Sequence, residues 1–210
     1  MALIGPNGAD KSTLIHLALS IVAPTSGKIL VNGMPIKKGA NHQLMNVGFV
    51  PDRSATFRNL TAKDNLIARS IEWGLDAKTE VPRVLELVGL DINNSQPVKQ
   101  YSLGMLRKVD IATALLGNPS LLILDEPANG LDPIAMNNIW GLLKSLNRNQ
   151  GVSLLLSSHD LFDLEKVATS VMVLSSGKTL GKVQISAAIS KNHSLLDFYE
   201  SQISNIAGVI

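Results

Sequence analysis

Three short strings carry side chains that could act on a phosphate. The first, Gly5-Pro6-Asn7-Gly8-Ala9-Asp10-Lys11-Ser12-Thr13, follows an apolar triplet and opens a helical pattern. That is the context of a phosphate loop of the form G-x-x-x-x-G-K-[ST]. Backbone N–H groups at a helix N-terminus cradle phosphates, with Lys11 placed to neutralise a nucleotide's β and γ groups and Ser12 to hold Mg²⁺. Taken alone, the string also fits a turn followed by an N-capped helix. The second, Leu121-Leu122-Ile123-Leu124-Asp125-Glu126, is a buried strand that delivers two acids at its end, where α/β sheets place ligand chemistry. Asp125 there could hold Mg²⁺ and Glu126 could polarise an attacking water; a solvated acidic turn fits equally well in isolation. The third, Ser157-Ser158-His159, follows another apolar run and brings an imidazole to the same edge of the sheet, able to donate to a γ-phosphate. His16, His42 and His193 have no such company and read as helix-surface or loop residues.

Asp10 stands where the loop pattern has its second glycine. A carboxylate about 5 Å from a phosphate charge, at an effective dielectric near 20, opposes binding by about 3 kcal/mol per charge pair. A Cβ also obstructs the close backbone approach that glycine permits. Asp10 nevertheless suits the N-cap of a helix starting at Lys11, at the positive end of its dipole.

The elements that must position these groups alternate. Apolar runs at 2–4, 28–31, 47–50, 121–124, 152–156 and 170–174 read as strands, and 11–22, 134–146 and 160–168 have helical spacing. This is the pattern of βαβ units and a mainly parallel sheet, an α/β fold. Asn32-Gly33 and Ser176-Gly177 mark hairpin turns. Residues 52–103 hold helical patterns at 62–73 and 79–88 and no convincing strand, so they read as a helical insertion. Tyr101-Ser102-Leu103-Gly104-Met105 precedes a helix at 106–116, with Ser102 as its N-cap. After Gln184 the chain turns helical again, through 195–202. Of 210 residues, 45% are apolar and 17% charged, which excludes disorder. A net charge of +2 gives no support to nucleic acid or anionic lipid as a partner, and the lack of cysteine excludes disulfides, thiolate zinc sites and thiol nucleophiles. No run is long and apolar enough to span a membrane.

In order, these strings resemble the nucleotide-binding subunit of ATP-binding cassette (ABC) transporters: the phosphate loop, the helical insertion, Ser102-Leu103-Gly104-Met105 in the signature position, Asp125-Glu126, Asn129-Gly130-Leu131-Asp132 and His159. The resemblance covers residues 1–186, and the wording around 101–133 looks most like the bacitracin and lantibiotic export or immunity subgroup. It implies a P-loop NTPase core at 1–51 and 106–186, a helical subdomain at about 52–105 and a C-terminal helical tail at 187–210. It also implies ATP and Mg²⁺ as ligands. Gly5 to Thr13 would bind the nucleotide; Ser12, Asp125 and Asp52 would bind the metal; Glu126, His159 and Asp52 would serve hydrolysis. Ser102 and Gly104 would contact ATP held by a second subunit, in a homo- or heterodimer, and Asn129 to Asp132 would line the interface. The region 49–77 would dock on a separate membrane permease, on the inner face of the cell membrane.

The sequence departs from that pattern in places. Asp52 takes a position usually held by glutamine, although related immunity proteins often carry Glu there. Ala128 replaces a common Thr, and Lys108-Val109-Asp110 alters the helix after the signature, changes read as tolerable. The antiparallel strands and adenine-stacking aromatic that precede the loop in the family are expected to be missing. Phe49, Phe57, Trp73 and Tyr101 read as packing residues rather than substitutes for that aromatic. The resemblance implies an ATPase that powers export of a peptide antibiotic or similar amphiphile. The alternative, leaning on Asp10 and Asp52, is a weakly active or inactive subunit that dimerises or docks. A soluble ABC protein of repair or ribosomes fits the single cassette and near-neutral charge poorly.

Overall fold

In the computed structural model, the opening apolar triplet forms a strand, β1 (Ala2–Ile4), with all three residues buried. The burial follows from its neighbours: β1 runs parallel to β6 (Ser153–Ser157) on one side and to β7 (Ser170–Ser175) on the other. A strand enclosed on both edges and both faces reads as a continuous apolar run. The structure describes residues 1–6, 8–31, 33–35 and 46–207, so Asn7, Asn32 and His42 lie outside it. Two compact units emerge, one of residues 1–40 and 155–210, the other of residues 41–154.

In the first unit, β7 turns through Ser176 and Gly177 into the antiparallel β8 (Lys178–Gln184). Both turn residues have positive φ, 47° and 72°, as a two-residue primed hairpin requires. A short hairpin, β2 (Leu30–Val31) with β3 (Met34–Pro35), stands where a longer strand at 28–31 was expected. Helix α1 (Lys11–Ala18) also ends earlier than the apolar pattern suggests. Ser20 at φ 57° reverses the chain there, and the Ile21 amide returns to the His16 carbonyl at 2.9 Å. Helices α6 (Leu161–Val167), α7 (Ile185–Asn192) and α8 (Leu195–Ala207) complete the unit. The Glu165 carboxylate accepts the Leu195 N–H and ties α8 to α6.

In the second unit, β4 (Val47–Val50) and β5 (Leu121–Leu124) pair in parallel, Val47 opposite Leu121 through to Val50 opposite Leu124. Four helices follow from sequence signals. Thr61 caps α2 (Ala62–Glu72), Asp76 caps α3 (Ala77–Val88), and Ser102 caps α4 (Leu103–Ala114) by accepting the Met105 N–H at 3.2 Å. Asp132 accepts two amides at the start of α5 (Pro133–Gln150), with proline in the first turn, where its missing N–H costs nothing. Helix α4 begins at Leu103, ahead of the expected 106, because the Ser102 cap sits directly before it.

Helix α4 lies so close to β4 that a Cβ on Gly48 would collide with the Ala114 carbonyl oxygen and the Leu122 side chain. Backbone cannot yield as a flexible side chain can. Gly48→Ala is therefore expected to destabilise the chain by about 1–3 kcal/mol, read as a lower urea midpoint. Between α3 and the end of α4, Glu80 accepts the Gly117 N–H at 2.7 Å and pairs with Arg83, whose Nη2 donates to the Leu115 carbonyl at 2.9 Å. The Arg83 hydrogen bond is the main cause that holds the Glu80 carboxyl below its ordinary value of 4.5. A depressed carboxyl stabilises above the unfolded-state value and loses that contribution as pH falls through the folded value. Glu80→Gln is expected to cost about 1 kcal/mol at pH 7, discounted for partial exposure, with the cost shrinking in urea titrations below pH 4.5.

Candidate functional site

The phosphate-loop half lies in the first unit. As β1 ends, Gly5 passes so close to the Leu174 carbonyl that no side chain fits there. The Ala9 N–H then closes a turn onto the Pro6 carbonyl at 3.1 Å, and Gly8 takes φ 78° with open space where a Cβ would stand. Ala9 folds back against Leu3 and Leu174, which buries it. The Leu14 N–H bonds to the Asp10 carbonyl at 2.9 Å and starts α1, whose first-turn amides have no acceptor within the helix. The Lys11 ammonium reaches back into the loop and donates to the Gly5 carbonyl at 2.8 Å and the Pro6 carbonyl at 3.3 Å. Ser12 and Thr13 occupy the exposed first turn. A held cation beside a helix N-terminus is chemistry suited to a polyphosphate.

Asp10 does not cap α1 through its side chain as the sequence suggests. It sits in the left-handed region, φ 69° and ψ 28°, and its carboxylate accepts no first-turn amide. A side-chain cap needs extended backbone at that position. Instead, Asp10 Oδ1 accepts from the Thr13 hydroxyl at 3.3 Å, and Oδ2 lies 3.6 Å from where a Cβ on Gly177 would be. In the same unit, His159 follows β6 in an exposed position, just ahead of Asp160, which caps α6. Among the other histidines, His16 lies in α1 and His193 is exposed at the end of α7.

The acidic half lies in the second unit. The Asp125 N–H continues the β4–β5 pairing by donating to the Val50 carbonyl at 2.9 Å, which leaves Asp125 buried at the strand end. Glu126 follows at φ 48°, a left-handed conformation that costs a non-glycine residue energy, and such strain gathers at functional sites. Its carbonyl accepts the Asn129 N–H at 3.1 Å. The Asn129 side chain in turn donates to the Asp52 carboxylate at 3.2 Å, so the strand end and the loop after β4 are joined. Gly104, in the first turn of α4, faces Ala135 of α5: a Cβ on Gly104 would stand 3.0 Å from the Ala135 Cβ. Leu103 and Ile134 beside them are exposed.

Arg107, which no motif singles out, and Asp110, part of a change read as tolerable, prove central to this half. Arg107 Nη1 and Nη2 donate to the carbonyls of Pro51 and Asp52, and Asp110 accepts from Ser54. Burial pushes the Asp110 carboxyl up to about 6, against the downward pull of the Ser54 hydrogen bond and Arg107. An Arg–Asp pair spaced i,i+3 on a helix is a signal the sequence carries, yet nothing local says that both are buried. Phe57 and Trp73, expected to pack, are 58% and 44% exposed. Asn65 binds the Phe57 backbone through two hydrogen bonds without covering its ring, and Trp73 sits at the end of α2 under the Arg69 guanidinium, 5.6 Å from its centroid.

Among the described residues, no three His, Cys, Asp or Glu side chains gather to form a metal cage. Mg²⁺ commonly takes one or two protein ligands beside phosphate oxygens and water, and the Ser12 hydroxyl and the Asp125 carboxylate are donors of that type. No helix among the described residues is long and apolar enough to cross a membrane.

Residues 1–129 match the family model described as ABC transporter. The chain is 36% identical over 195 residues to the bacitracin transport ATP-binding protein BcrA of Bacillus licheniformis, covering 93% of this chain and 64% of that protein. It is 37% identical over 179 residues to the lantibiotic transport ATP-binding protein SrtF of Streptococcus pyogenes, covering 85% and 76%. Among solved structures, cbiO1 from Clostridium perfringens, part of the ABC transporter complex cbiONQ, superposes with a TM-score of 0.82 at 26% identity, over 90% of this chain and 78% of that one. The chain spans less than two thirds of the length of some curated relatives that it matches. The fold is that of an α/β P-loop NTPase, and the chain belongs to the ABC transporter family.

Proposed function

We propose that this chain binds and hydrolyses ATP as the nucleotide-binding subunit of an ABC transporter, and that hydrolysis drives export of a peptide antibiotic through a separate membrane permease. The observation that carries this reading is the Lys11 ammonium, held inside the loop at 2.8 Å from the Gly5 carbonyl at the end of a buried strand. The cargo class is supported by the bacitracin and lantibiotic transport named for its relatives. The chain works on the inner face of the membrane, attached through the permease.

In this reading the backbone of Gly5 to Thr13 and the Lys11 ammonium bind the β- and γ-phosphates. Ser12, Asp125 and Asp52 are the Mg²⁺ ligands, and the ion supplies positive charge against the phosphates when bound. The Glu126 carboxylate takes the proton of the attacking water, and His159 donates a hydrogen bond to the γ-phosphate. Ser102 and Gly104, at the capped start of α4, approach ATP bound by a second subunit, with the helix N-terminus toward its phosphates. In a heterodimer this signature end serves a partner's loop whatever the affinity of its own.

Glu126→Gln is expected to lower steady-state phosphate release by a factor on the order of 10²–10⁴ while equilibrium ATP binding persists. Unchanged turnover would remove Glu126 from the reaction. Asp10→Gly is expected to tighten ATP binding by about tenfold or more, because it removes a like charge near the phosphates. An unchanged dissociation constant would show that this carboxylate does not oppose nucleotide. If phosphate release appears only after Asp10→Gly, the natural chain acts as a docking or dimerisation partner rather than an ATPase.

A further inference from the structure

Helix α4 carries two charged residues one turn apart, Arg107 and Asp110, that are only 4% and 6% exposed. Buried charges persist only where they are hydrogen-bonded or paired. The two form a buried ion pair without a hydrogen bond: Arg107 Nη1 stands 3.9 Å from Asp110 Oδ2, beyond hydrogen-bond length. Both also act on the loop after β4. Arg107 Nη1 donates to the Pro51 carbonyl at 2.7 Å and Nη2 to the Asp52 carbonyl at 2.9 Å. Asp110 Oδ1 accepts from the Ser54 hydroxyl at 2.6 Å, and the Thr56 N–H donates to that hydroxyl at 3.4 Å.

Residues 51–54 are thus gripped at three points from one face of α4. The planar fork of a guanidinium can bind two successive carbonyls at once, which an ammonium or an apolar side chain cannot do. Those two carbonyls flank the backbone N–H and Cα of Asp52, so they fix the point from which its side chain leaves the loop. Arg107 Nε, buried and without a hydrogen-bond partner, shows that the arrangement does not maximise stability.

We infer that Arg107 is a positioning residue for Asp52, with Asp110 and Ser54 closing the latch, so that the helix capped by Ser102 also sets where Asp52 stands. This rests on the reading of Asp52 as a residue of the hydrolytic site. The latch itself is a property of the nucleotide-free chain and can be measured without activity.

The test uses the full chain with Arg107→Met/Asp110→Ala, which removes both buried charges together and avoids stranding one, a replacement that buried ion pairs often tolerate. Amide hydrogen exchange at residues 52–56 without nucleotide is expected to rise by about tenfold or more while the unfolding midpoint stays near that of the wild type. Turnover is expected to fall by about tenfold to a hundredfold, the range for a misplaced group. ATP affinity should stay within about twofold, because the loss falls on the reaction and not on binding. Arg107→Lys should restore part of both readings. In an Asp52→Asn background, Arg107→Met/Asp110→Ala should lower turnover no further. Wild-type exchange or wild-type turnover in the double variant overturns the proposal, as does a full, additive loss in the Asp52→Asn background. If the double variant does not fold, Arg107→Lys alone decides through the same two readings. If the natural chain shows no turnover, the activity reading fails, and hydrogen exchange still decides the latch.

Discussion

The backbone at position 5 runs so close to the Leu174 carbonyl that it admits no side chain, and this approach sets where the phosphate loop leaves the sheet. It follows from register: Ile4 pairs with Val173 in the parallel β1–β7 ladder, so the next residue arrives beside Leu174. A Cβ on Gly5 would also stand 2.9 Å from that of Ala9, whose methyl packs with Leu3 and Leu174. The chain is therefore obliged to fold back over its own strand before α1 can begin. That return brings the Gly5 and Pro6 carbonyls under the Lys11 ammonium. Cation, turn and helix start are consequences of one buried strand and one close contact.

The acidic half is positioned by polar contacts more than by close packing. Asp125 is fixed because its amide extends the β4–β5 ladder, and Asp52 because Asn129 and Arg107 hold its side chain and its carbonyl. Hydrogen bonds to a charged group are directional and among the stronger polar contacts, so they define a loop that has little apolar surface to bury. Such a loop responds to changes in its few partners, whereas the phosphate loop is set by the sheet beneath it.

Elements whose signal is local were legible in the sequence. The buried strands appear as apolar runs, Ser102 caps the helix it was expected to cap, and Ser176-Gly177 makes the expected turn. The errors have local causes too: α1 carries apolar residues past the point where Ser20 reverses the chain, and α4 starts at its cap rather than at the first residue of its apolar pattern. What was not legible depends on contacts between distant residues. Arg107 and Asp110 meet partners more than fifty positions earlier in the chain, and no property of residues 105–112 alone names those partners. The exposure of Phe57 was hidden for the same reason, since Asn65 fixes its backbone from the next helix without covering the ring.

Asp10 separates two things that a motif joins, the shape of a loop and its field. Aspartate is one of the few residues besides glycine that visit the left-handed region readily, and here it takes φ 69° and ψ 28°. The backbone at this position accordingly keeps a conformation that glycine would adopt, and Lys11 still reaches the loop carbonyls. What the side chain adds is a negative charge next to that lysine in sequence, held by the Thr13 hydroxyl and lying near the β7–β8 turn. Its influence on a bound anion is then electrostatic rather than conformational. At an effective dielectric near 20, a charge pair about 5 Å apart is worth about 3 kcal/mol, more than the roughly 1–2 kcal/mol a non-glycine residue costs in the left-handed region. The loop's form can persist while its affinity changes, because the two rest on different physical terms.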